Sequence, residues 1–293
     1  LMKTNMTLEE CKKLAAQGDY GLIPVCTEML ADICTPLEML RILKKVSRHV
    51  FLLESVDAEK RWGRYSFLGY DPALELTCCD GTVKIKTPLA VQTVKEDVRS
   101  CIRNLIRENR SPRLGALPSF TGGLVGYFSY DYIKYAEPKL ELDAEDQEGF
   151  QDVNLMLFHK VIAFDNERQR LLLIVNVKTD DLETNYHRAI LELEEMKQMI
   201  RRGEKAVDDP LKLKSDFRPL FNEAAYCGMV EKAKGYIREG DIFQVVLSNR
   251  LEAEMEGSLL DAYRVLRIKN SSPYMFYFSG ADGEIAGASP QTL

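Results

Sequence analysis

The sequence has no apolar run long enough to cross a membrane, and its charge does not suit a nucleic-acid partner. No stretch approaches the roughly 18 apolar residues of a membrane-spanning helix, and the opening residues LMKTNMTLEECKK lack the apolar core of a signal peptide. The formal net charge is −6, and the basic residues are mixed with acidic ones, so no basic surface for a phosphate backbone is expected. We therefore expect a cytoplasmic protein that binds neither membranes nor nucleic acids.

Cysteine and histidine are few and irregularly spaced. The 7 cysteines and 3 histidines form no C-x-x-C pair and no spacing typical of zinc ligands. An odd number of cysteines in a chain of this length favours reduced thiols over a disulfide framework. The sequence also lacks H-E-x-x-H, G-x-S-x-G and Walker-type motifs. Local motifs therefore assign no metal ligand and no catalytic group.

Hairpins are the clearest structural signal that is present. Asp80-Gly81 separates two strand-like runs in ALELTCCDGTVKIK, and this dipeptide tolerates the positive φ angles of a tight turn. Asp165-Asn166 stands near the reversal of VNLMLFHKVIAFDNERQRLLLIVNV, whose arms are rich in Val, Ile and Leu. A third hairpin is predicted for YMFYFSG and EIAGAS, reversed around Asp282-Gly283. These long antiparallel arms indicate an extensive sheet.

Amphipathic helices lie between the predicted strands. An apolar stripe from Leu182 to Ile200 predicts a helix that Gly203 ends, and Asn222 and Gly240 bound a second helix. Strands in hairpins with interspersed helices indicate an α+β fold, with large antiparallel β-sheets packed together and covered by helices.

A polar stretch with two prolines suggests a division of the chain. Residues 204–220 are the predicted linker between an N-terminal domain over 20–203 and a second domain that begins within 221–293. The last residues, GASPQTL, stand in the middle of strand and turn sequence. We therefore expect the second domain to be incomplete at its C-terminus and the chain to be part of a longer protein.

Polar side chains interrupt three apolar stretches. Glu54 and Ser55 end HVFLLES, Gln244 stands inside IFQVVLSNR, and Ser289 follows IAGA. A buried polar group without a partner costs roughly 1–3 kcal/mol, so each side chain should reach water or a hydrogen-bonding partner. For Glu54 and Ser55 the common outcome is a strand end in water, and the alternative is a carboxylate that binds a ligand's ammonium group.

The stretch NSSPYMFYF offers a similar choice. Pro273 fixes its own φ angle and withholds an N–H, so the chain around it should run as an extended rim. Tyr274 and Met275 provide soft apolar surface that suits an aromatic ligand. Packing in the protein core is the alternative reading of the same residues.

Motifs in a fixed order give the chain a family resemblance. LLESV and RYSFLGYDP are followed by GGLVGYFSYD, DIFQVVLSNRL, NSSPYMFYF and GASP. Together they resemble the large, chorismate-binding subunit of anthranilate synthase, from about residue 20 to the end of the chain. The resemblance implies a lyase of tryptophan biosynthesis that converts chorismate and ammonia to anthranilate and pyruvate. It also implies Mg²⁺ as cofactor, a separate glutaminase subunit as the source of ammonia, and feedback inhibition by tryptophan.

The resemblance assigns the feedback site to two motifs. In that family LLES and PYM bind tryptophan, so Glu54, Ser55, Pro273, Tyr274 and Met275 are the candidates here. Glu54 would accept hydrogen bonds from the ammonium group of tryptophan, and the Pro-Tyr-Met segment would line the pocket.

The resemblance also assigns residues to the reaction. Related isochorismate and salicylate synthases have a lysine that activates water where this chain has Gln244, so Gln244 is the catalytic candidate. A neutral amide cannot act as a general base at pH 7, but it can orient ammonia. Gly287, Ala288 and Ser289 correspond to the GASP turn beside the chorismate pocket.

Several properties of the family depend on residues that the motifs above do not include. The family's magnesium-binding glutamates and catalytic histidine belong to later motifs, so we expect this chain to be inactive alone. Aminodeoxychorismate synthase of folate biosynthesis is the enzyme alternative, and a regulatory module that only binds tryptophan is the non-enzymatic one. The LLES and PYM motifs favour the tryptophan branch.

Overall fold

The computed structural model describes residues 3–55, 63–137, 139–140, 146, 148–281 and 283–289. The chain forms two compact units, of which the first comprises residues 1–207 and 263–293 and the second comprises residues 208–262. The first unit thus contains both the N-terminal strands and the hairpin near the end of the chain. The expected division has a linker at 204–220 between two domains that are each continuous in sequence. The observed first unit is discontinuous, because the hairpin near the end of the chain pairs with an N-terminal strand. The domain assignment over 20–203 and 221–293 stays a prediction.

A seven-stranded antiparallel sheet is the centre of the first unit. In spatial order its strands are β1 (Leu22–Leu30), β10 (Arg170–Lys178), β9 (Lys160–Asp165), β3 (Tyr65–Tyr70), β2 (Val50–Glu54), β15 (Tyr274–Ser279) and β16 (Glu284–Ser289). Three helices, α1 (Leu8–Gln17), α2 (Pro36–Val46) and α5 (Leu182–Arg202), cover it through contacts of α5 with β10 and of α2 with β2 and β3. Most of the buried side chains of these strands are apolar, as strands covered by helices require, and the carboxylate of Glu54 is an exception.

A five-stranded antiparallel sheet forms the second layer of the same unit. Its strands are β6 (Val91–Val94), β5 (Thr82–Lys86), β4 (Leu74–Cys79), β8 (Val153–Phe158) and β7 (Gly123–Phe128). Helix α3 (Val98–Glu108) covers one face, where its Val98, Cys101 and Leu105 pack with Leu76 and Val153. A turn of 3₁₀ helix (Tyr130–Tyr132) and α4 (Ile133–Ala136) follow β7.

The two sheets meet through an aromatic cluster. Phe51 of β2 and Phe278 of β15 pack with Met156 and Phe158 of β8. The ring centres of Phe51 and Phe158 are 4.8 Å apart in an edge-to-face arrangement. Such a pair stabilises the fold by more than the burial of its apolar surface alone. Large antiparallel sheets packed together and covered by helices confirm the predicted α+β class.

The predicted turns and helix ends are confirmed where they fall on described residues. Asp80 and Gly81 both have positive φ angles, 45° and 77°, between β4 and β5. Helix α5 ends at Gly203, whose φ is 61°, and the helix α6 (Glu223–Glu239) ends at Gly240, whose φ is 84°. Asn222 caps α6 by accepting a hydrogen bond from Ala225 N. The hairpin of β15 and β16 is present, although Asp282 lies outside the described residues.

A buried carboxylate holds the turn between β4 and β5. Asp152 accepts hydrogen bonds from the Tyr135 hydroxyl at 2.7 Å and from Asp80 N at 2.9 Å, and Lys134 Nζ lies 3.0 Å from it. Burial alone would raise the pKa of Asp152, but the hydrogen bonds from Tyr135 and Lys134 lower it below the ordinary value of an aspartate. The network therefore favours the charged carboxylate.

The second unit has short strands around one long helix. Its elements are β11 (Lys212–Leu213), β12 (Arg218–Pro219), α6, β13 (Leu251–Glu252) and β14 (Met255–Glu256), and it contains the start of α7 (Leu260–Lys269). β11 pairs with β14, and β12 pairs with β13. No residue of α6 is buried.

The strand predicted for IFQVVLSNR is wrong. Residues 242–250 are mostly exposed, and the structure assigns them to no strand. A strand forms where a neighbour accepts and donates the backbone hydrogen bonds of its ladder. Around this segment the described contacts are isolated, such as the Tyr226 hydroxyl to Leu247 O at 3.1 Å and Leu220 N to Arg250 O at 2.8 Å.

The seven cysteines are all free thiols, as predicted. Cys78 is buried and its neighbour Cys79 is half-buried, which fits the opposite faces of strand β4. None of the helices within the described residues is both long and apolar enough to span a bilayer.

Candidate functional site

The two motifs assigned to tryptophan binding lie on neighbouring strands. Glu54 is the last residue of β2, and its register partner on the antiparallel strand β15 is Met275. On the other side of β15, Met275 pairs with Ala288 of β16. Glu54, Met275 and Ala288 therefore stand side by side across three strands, although they are far apart in sequence. This register brings the LLES, PYM and GASP motifs together.

Glu54 is a buried carboxylate with two partners from helix α7. The Tyr263 hydroxyl donates a hydrogen bond of 2.6 Å to Glu54 Oε1, and an Arg267 terminal nitrogen donates one of 2.9 Å to Oε2. The Arg267 Nε also lies 2.5 Å from Oε1, an ion-pair contact rather than a well-aligned hydrogen bond. The Glu54 side chain is 2% exposed and that of Arg267 is 26% exposed.

Tyr263 is a permanent hydrogen-bond donor in this cluster. Its side chain is fully buried, and burial raises the pKa of the Tyr263 hydroxyl above its ordinary value. The negative charge of Glu54 and the hydrogen bond to it raise that pKa further. The hydroxyl therefore keeps its proton throughout the physiological range. The Tyr263 ring also packs against Tyr277, with 5.9 Å between the ring centres.

Neither sequence-based interpretation of Glu54 included this arrangement. The side chain does not end in water, and its carboxylate is already bound to a cation of the same chain. Tyr263 and Arg267 were not among the predicted site residues. Their spacing of four residues on one helix, which places both side chains on the same face, is the sequence signal that could have identified them.

The other predicted residues of this site differ in exposure. Met275 is buried, Pro273 is half-buried and Tyr274 is exposed. The Oγ of Ser55 is buried and has no hydrogen-bond partner among the described residues. A hydroxyl in that position has both a donor and an acceptor to offer to a ligand.

Ser272 joins the PYM segment to β16. Its hydroxyl is within hydrogen-bonding distance of Tyr274 O at 3.1 Å and of Ser289 O, and it accepts a hydrogen bond from Tyr274 N. The side chain is buried. This residue therefore fixes the beginning of β15 against the end of β16.

Gly287 has a packing reason to lack a side chain. A Cβ atom on Gly287 would lie 2.4 Å from the ring of Phe276, its register partner on β15. Ala288 and Ser289 follow in the same strand, and all three residues are half-buried. Their assignment to a chorismate pocket stays a prediction.

Gln244 lies in the second compact unit and is exposed. It belongs to the segment 242–250 that forms no strand. Its role in orienting ammonia stays a prediction. Within the described part of the chain, no group of three or more His, Cys, Asp or Glu residues could hold a metal ion.

One cavity of the first unit is separate from these residues. It has a volume of about 580 Å³ and lies beside α5, with Lys45, Tyr70, Lys160 and Met199 among its lining residues. None of the predicted site residues lines it. Its rim is charged with both signs, and Lys160 pairs there with Asp71 at 2.5 Å.

Comparison with known proteins gives a consistent family. A family model described as chorismate binding enzyme matches residues 49–293. Anthranilate synthase component 1 of Acetivibrio thermocellus is 34% identical over 296 residues, which cover 98% of this chain and 59% of that protein. The protein of the same name from Aquifex aeolicus is 34% identical and is matched over 100% of this chain and 60% of its own length. The chain therefore spans about three fifths of the length of these curated relatives.

Solved structures support the same grouping. The crystal structure of anthranilate synthase component I from Streptococcus pneumoniae TIGR4 superposes with a TM-score of 0.63 at 28% identity, covering 90% of this chain and 57% of that chain. MenF, the menaquinone-specific isochorismate synthase from Escherichia coli, superposes with a TM-score of 0.51 at 13% identity. The second likeness is one of fold alone.

Proposed function

This chain belongs to the family of chorismate binding enzymes, and we propose that it acts within the large subunit of an anthranilate synthase. The complete enzyme would convert chorismate and ammonia to anthranilate and pyruvate in the cytoplasm. The observation that carries the proposal is the register of Glu54 with Met275, which brings together the two motifs that the resemblance assigns to tryptophan binding. The relatives that match nearly the whole chain support it, since their names give the same subunit.

The proposed reaction needs a nucleophile and a leaving pyruvate. Ammonia is already a good nucleophile, so a neutral amide such as that of Gln244 would orient it without removing a proton. A glutaminase subunit would be the source of this ammonia. Gly287, Ala288 and Ser289 would border the bound chorismate.

Magnesium is part of the proposal for the complete enzyme. When bound, it would neutralise the carboxylates of chorismate and assist the departure of the hydroxyl group. The described residues of this chain do not fit that role, because they contain no cluster of carboxylates or histidines that could hold a metal. No step of the reaction is therefore assigned to them through the metal.

Tryptophan would bind where β2 and β15 end. Ser55 Oγ, which has no partner among the described residues, would exchange a hydrogen bond with the amino acid. The indole ring would pack on the surface of Pro273, Tyr274 and Met275. The ammonium group would share Glu54 with Arg267, because a carboxylate has about four lone-pair positions for donors.

Isothermal titration of this chain with L-tryptophan tests the proposal. We expect saturable binding at one site, and Ser55→Ala should weaken it by about tenfold through the loss of roughly 1–1.5 kcal/mol of hydrogen bonding. Ser129→Ala is the matched control, since Ser129 Oγ is also buried and unpartnered among the described residues but lies at the end of β7. The control should bind tryptophan as the wild type does.

Two results would contradict the proposed function. A folded chain that does not bind tryptophan would favour the folate-branch relative, aminodeoxychorismate synthase. Equal losses in Ser55→Ala and Ser129→Ala would show that the effect comes from stability rather than from a contact with the ligand.

A further inference from the structure

Arg267 presents only one edge of its guanidinium group to Glu54. A guanidinium group has five N–H donors in a rigid planar fork, and it can bind a carboxylate along its Nε edge or along its outer edge. Here Nη2 donates to Glu54 Oε2 at 2.9 Å, and Nε lies 2.5 Å from Oε1. The ion pair therefore occupies the Nε edge.

The outer edge of the same guanidinium group is available to a ligand. The second terminal nitrogen, Nη1, has no hydrogen bond or ion pair with any described residue. Nε is the one nitrogen of Arg267 that is both buried and without an aligned hydrogen bond, so the unpartnered Nη1 is accessible to solvent. Because the group is planar, Nη1 and the second hydrogen of Nη2 point away from Glu54. This outer edge can bind a second carboxylate with two parallel hydrogen bonds.

The outer edge lies beside the residues proposed to bind tryptophan. Glu54 ends β2, Ser55 follows it, and Met275 is the register partner of Glu54 on β15. Arg267 reaches Glu54 from helix α7. In an α-amino acid a single carbon atom separates the ammonium group from the carboxylate. A ligand whose ammonium group binds Glu54 therefore has its carboxylate within reach of Arg267.

The charges of the pair favour a ligand that carries both signs. Glu54 and Arg267 together are neutral, and the Glu54 side chain is 2% exposed, so water screens an added charge there poorly. A simple amine would leave an extra positive charge beside Arg267, and a simple carboxylate would leave an extra negative charge beside Glu54. A zwitterion adds no net charge and places each of its groups next to the opposite charge of the pair.

We propose that Arg267 is a specificity-determining residue that binds the α-carboxylate of the amino acid. Glu54 holds the ammonium group of the ligand, and the carboxylate accepts hydrogen bonds from Nη1 and Nη2 of Arg267. The inference rests on the tryptophan site proposed above and adds the residue that distinguishes an amino acid from an amine. Arg267 thus has two roles, since it also neutralises Glu54 in the free protein.

Three ligands with one indole ring test this role on the 293-residue chain. L-Tryptophan has an ammonium group and a carboxylate, tryptamine lacks the carboxylate, and L-tryptophanamide has a neutral amide in its place. At about pH 6, below the pKa of an α-amino group, all three carry the ammonium group that binds Glu54. In isothermal titrations we expect L-tryptophan to bind at least about tenfold more tightly than either analogue, because its carboxylate adds charge-assisted hydrogen bonds.

Replacing Arg267 by lysine separates recognition of the carboxylate from the structural role. Lysine keeps a positive charge for Glu54, but it has no planar fork and therefore no second edge for the ligand. We expect Arg267→Lys to bind L-tryptophan about tenfold more weakly and tryptamine within about twofold of the wild type. A purely structural role would weaken the two ligands equally, because both bind Glu54 through the ammonium group.

Arg201→Lys is the matched control. Arg201 is exposed in the last turn of α5, so the same chemical change is made on a different helix. This variant should bind all three ligands as the wild type does. If Arg267→Lys does not give the wild-type circular dichroism spectrum, the comparison of the three ligands on the wild-type chain decides.

Two outcomes would overturn the inference and leave the proposed tryptophan site in place. The first is equal affinity of the wild type for L-tryptophan and L-tryptophanamide, which would remove the role of the carboxylate. The second is an unchanged ratio of the affinities for L-tryptophan and tryptamine in folded Arg267→Lys. A folded wild-type chain that does not bind L-tryptophan would contradict the proposed site itself, and the inference would fail with it.

Discussion

Replacing Arg267 by methionine should destabilise the first unit more than its position near the end of a short helix suggests. Methionine keeps an unbranched apolar stem but removes the guanidinium group that lies against Glu54. The Glu54 side chain is 2% exposed, so water cannot take over the role of the lost cation. Only the hydroxyl of Tyr263 would remain as a described partner of the carboxylate.

The expected magnitude follows from which charge is left without a partner. Removing one member of a buried ion pair costs about 3–5 kcal/mol, and the remaining bond from Tyr263 points to the lower end, about 3 kcal/mol. Glu54→Gln should cost less, about 1–2 kcal/mol, because Arg267 is 26% exposed and can turn toward water. The double variant should cost about as much as Glu54→Gln alone, since neither charge is then stranded.

Urea unfolding followed by far-ultraviolet circular dichroism measures these three free energies of unfolding. Tyr263→Phe is the control, because it removes one hydrogen bond to Glu54 without removing the cation, and it should cost about 1–2 kcal/mol. The reasoning would be refuted if Arg267→Met cost less than about 1 kcal/mol, or if the losses of the two single variants added in the double variant.

Four further predictions concern acid stability, two glycines and one thiol. The pKa of Asp152 is below its ordinary value, so its contribution to stability is present above about pH 4 and is lost as the pH falls; Asp152→Asn should flatten this acid dependence in urea titrations at successive pH values. Gly228→Ala should stabilise helix α6 by about 0.5–1 kcal/mol in thermal melts, since a Cβ there meets nothing within 4 Å. Gly21→Ala should lose at least about 2 kcal/mol or fail to fold, since its Cβ would lie 1.7 Å from Glu108 O. Cys227 is the one exposed thiol of the seven, so a disulfide reagent should label one cysteine quickly in the native chain and all seven after denaturation.

Local signals predicted the elements of this fold well. The turn at Asp80-Gly81 and the helix ends at Gly203 and Gly240 depend on backbone angles that few residues tolerate. Such constraints act within a few residues, so they can be identified in the sequence. The hairpin of β15 and β16 was predictable for the same reason.

The order of strands in the large sheet could not be predicted in this way. β1 lies at one edge and pairs with β10, and β2 pairs with β15, far along the chain. These pairings depend on which buried faces match over the whole sheet, and a strand's own residues do not contain that information. The motifs of a known family suggested that LLES and PYM share one site, and their neighbouring positions follow from the observed register.

The polar side chains that interrupt three apolar stretches illustrate how far such a signal extends. The need for a partner can be inferred from the sequence, but the identity of the partner depends on the tertiary structure. Glu54 finds a cation and a hydroxyl on α7, and Gln244 lies exposed in a segment that forms no strand.

The ion pair of Glu54 also determines what a ligand at that site must offer. At Glu54 the negative charge is already balanced by Arg267, so a ligand that brings an ammonium group gains little unless another part of it is also recognised. A zwitterionic amino acid that also contacts Ser55 meets that requirement.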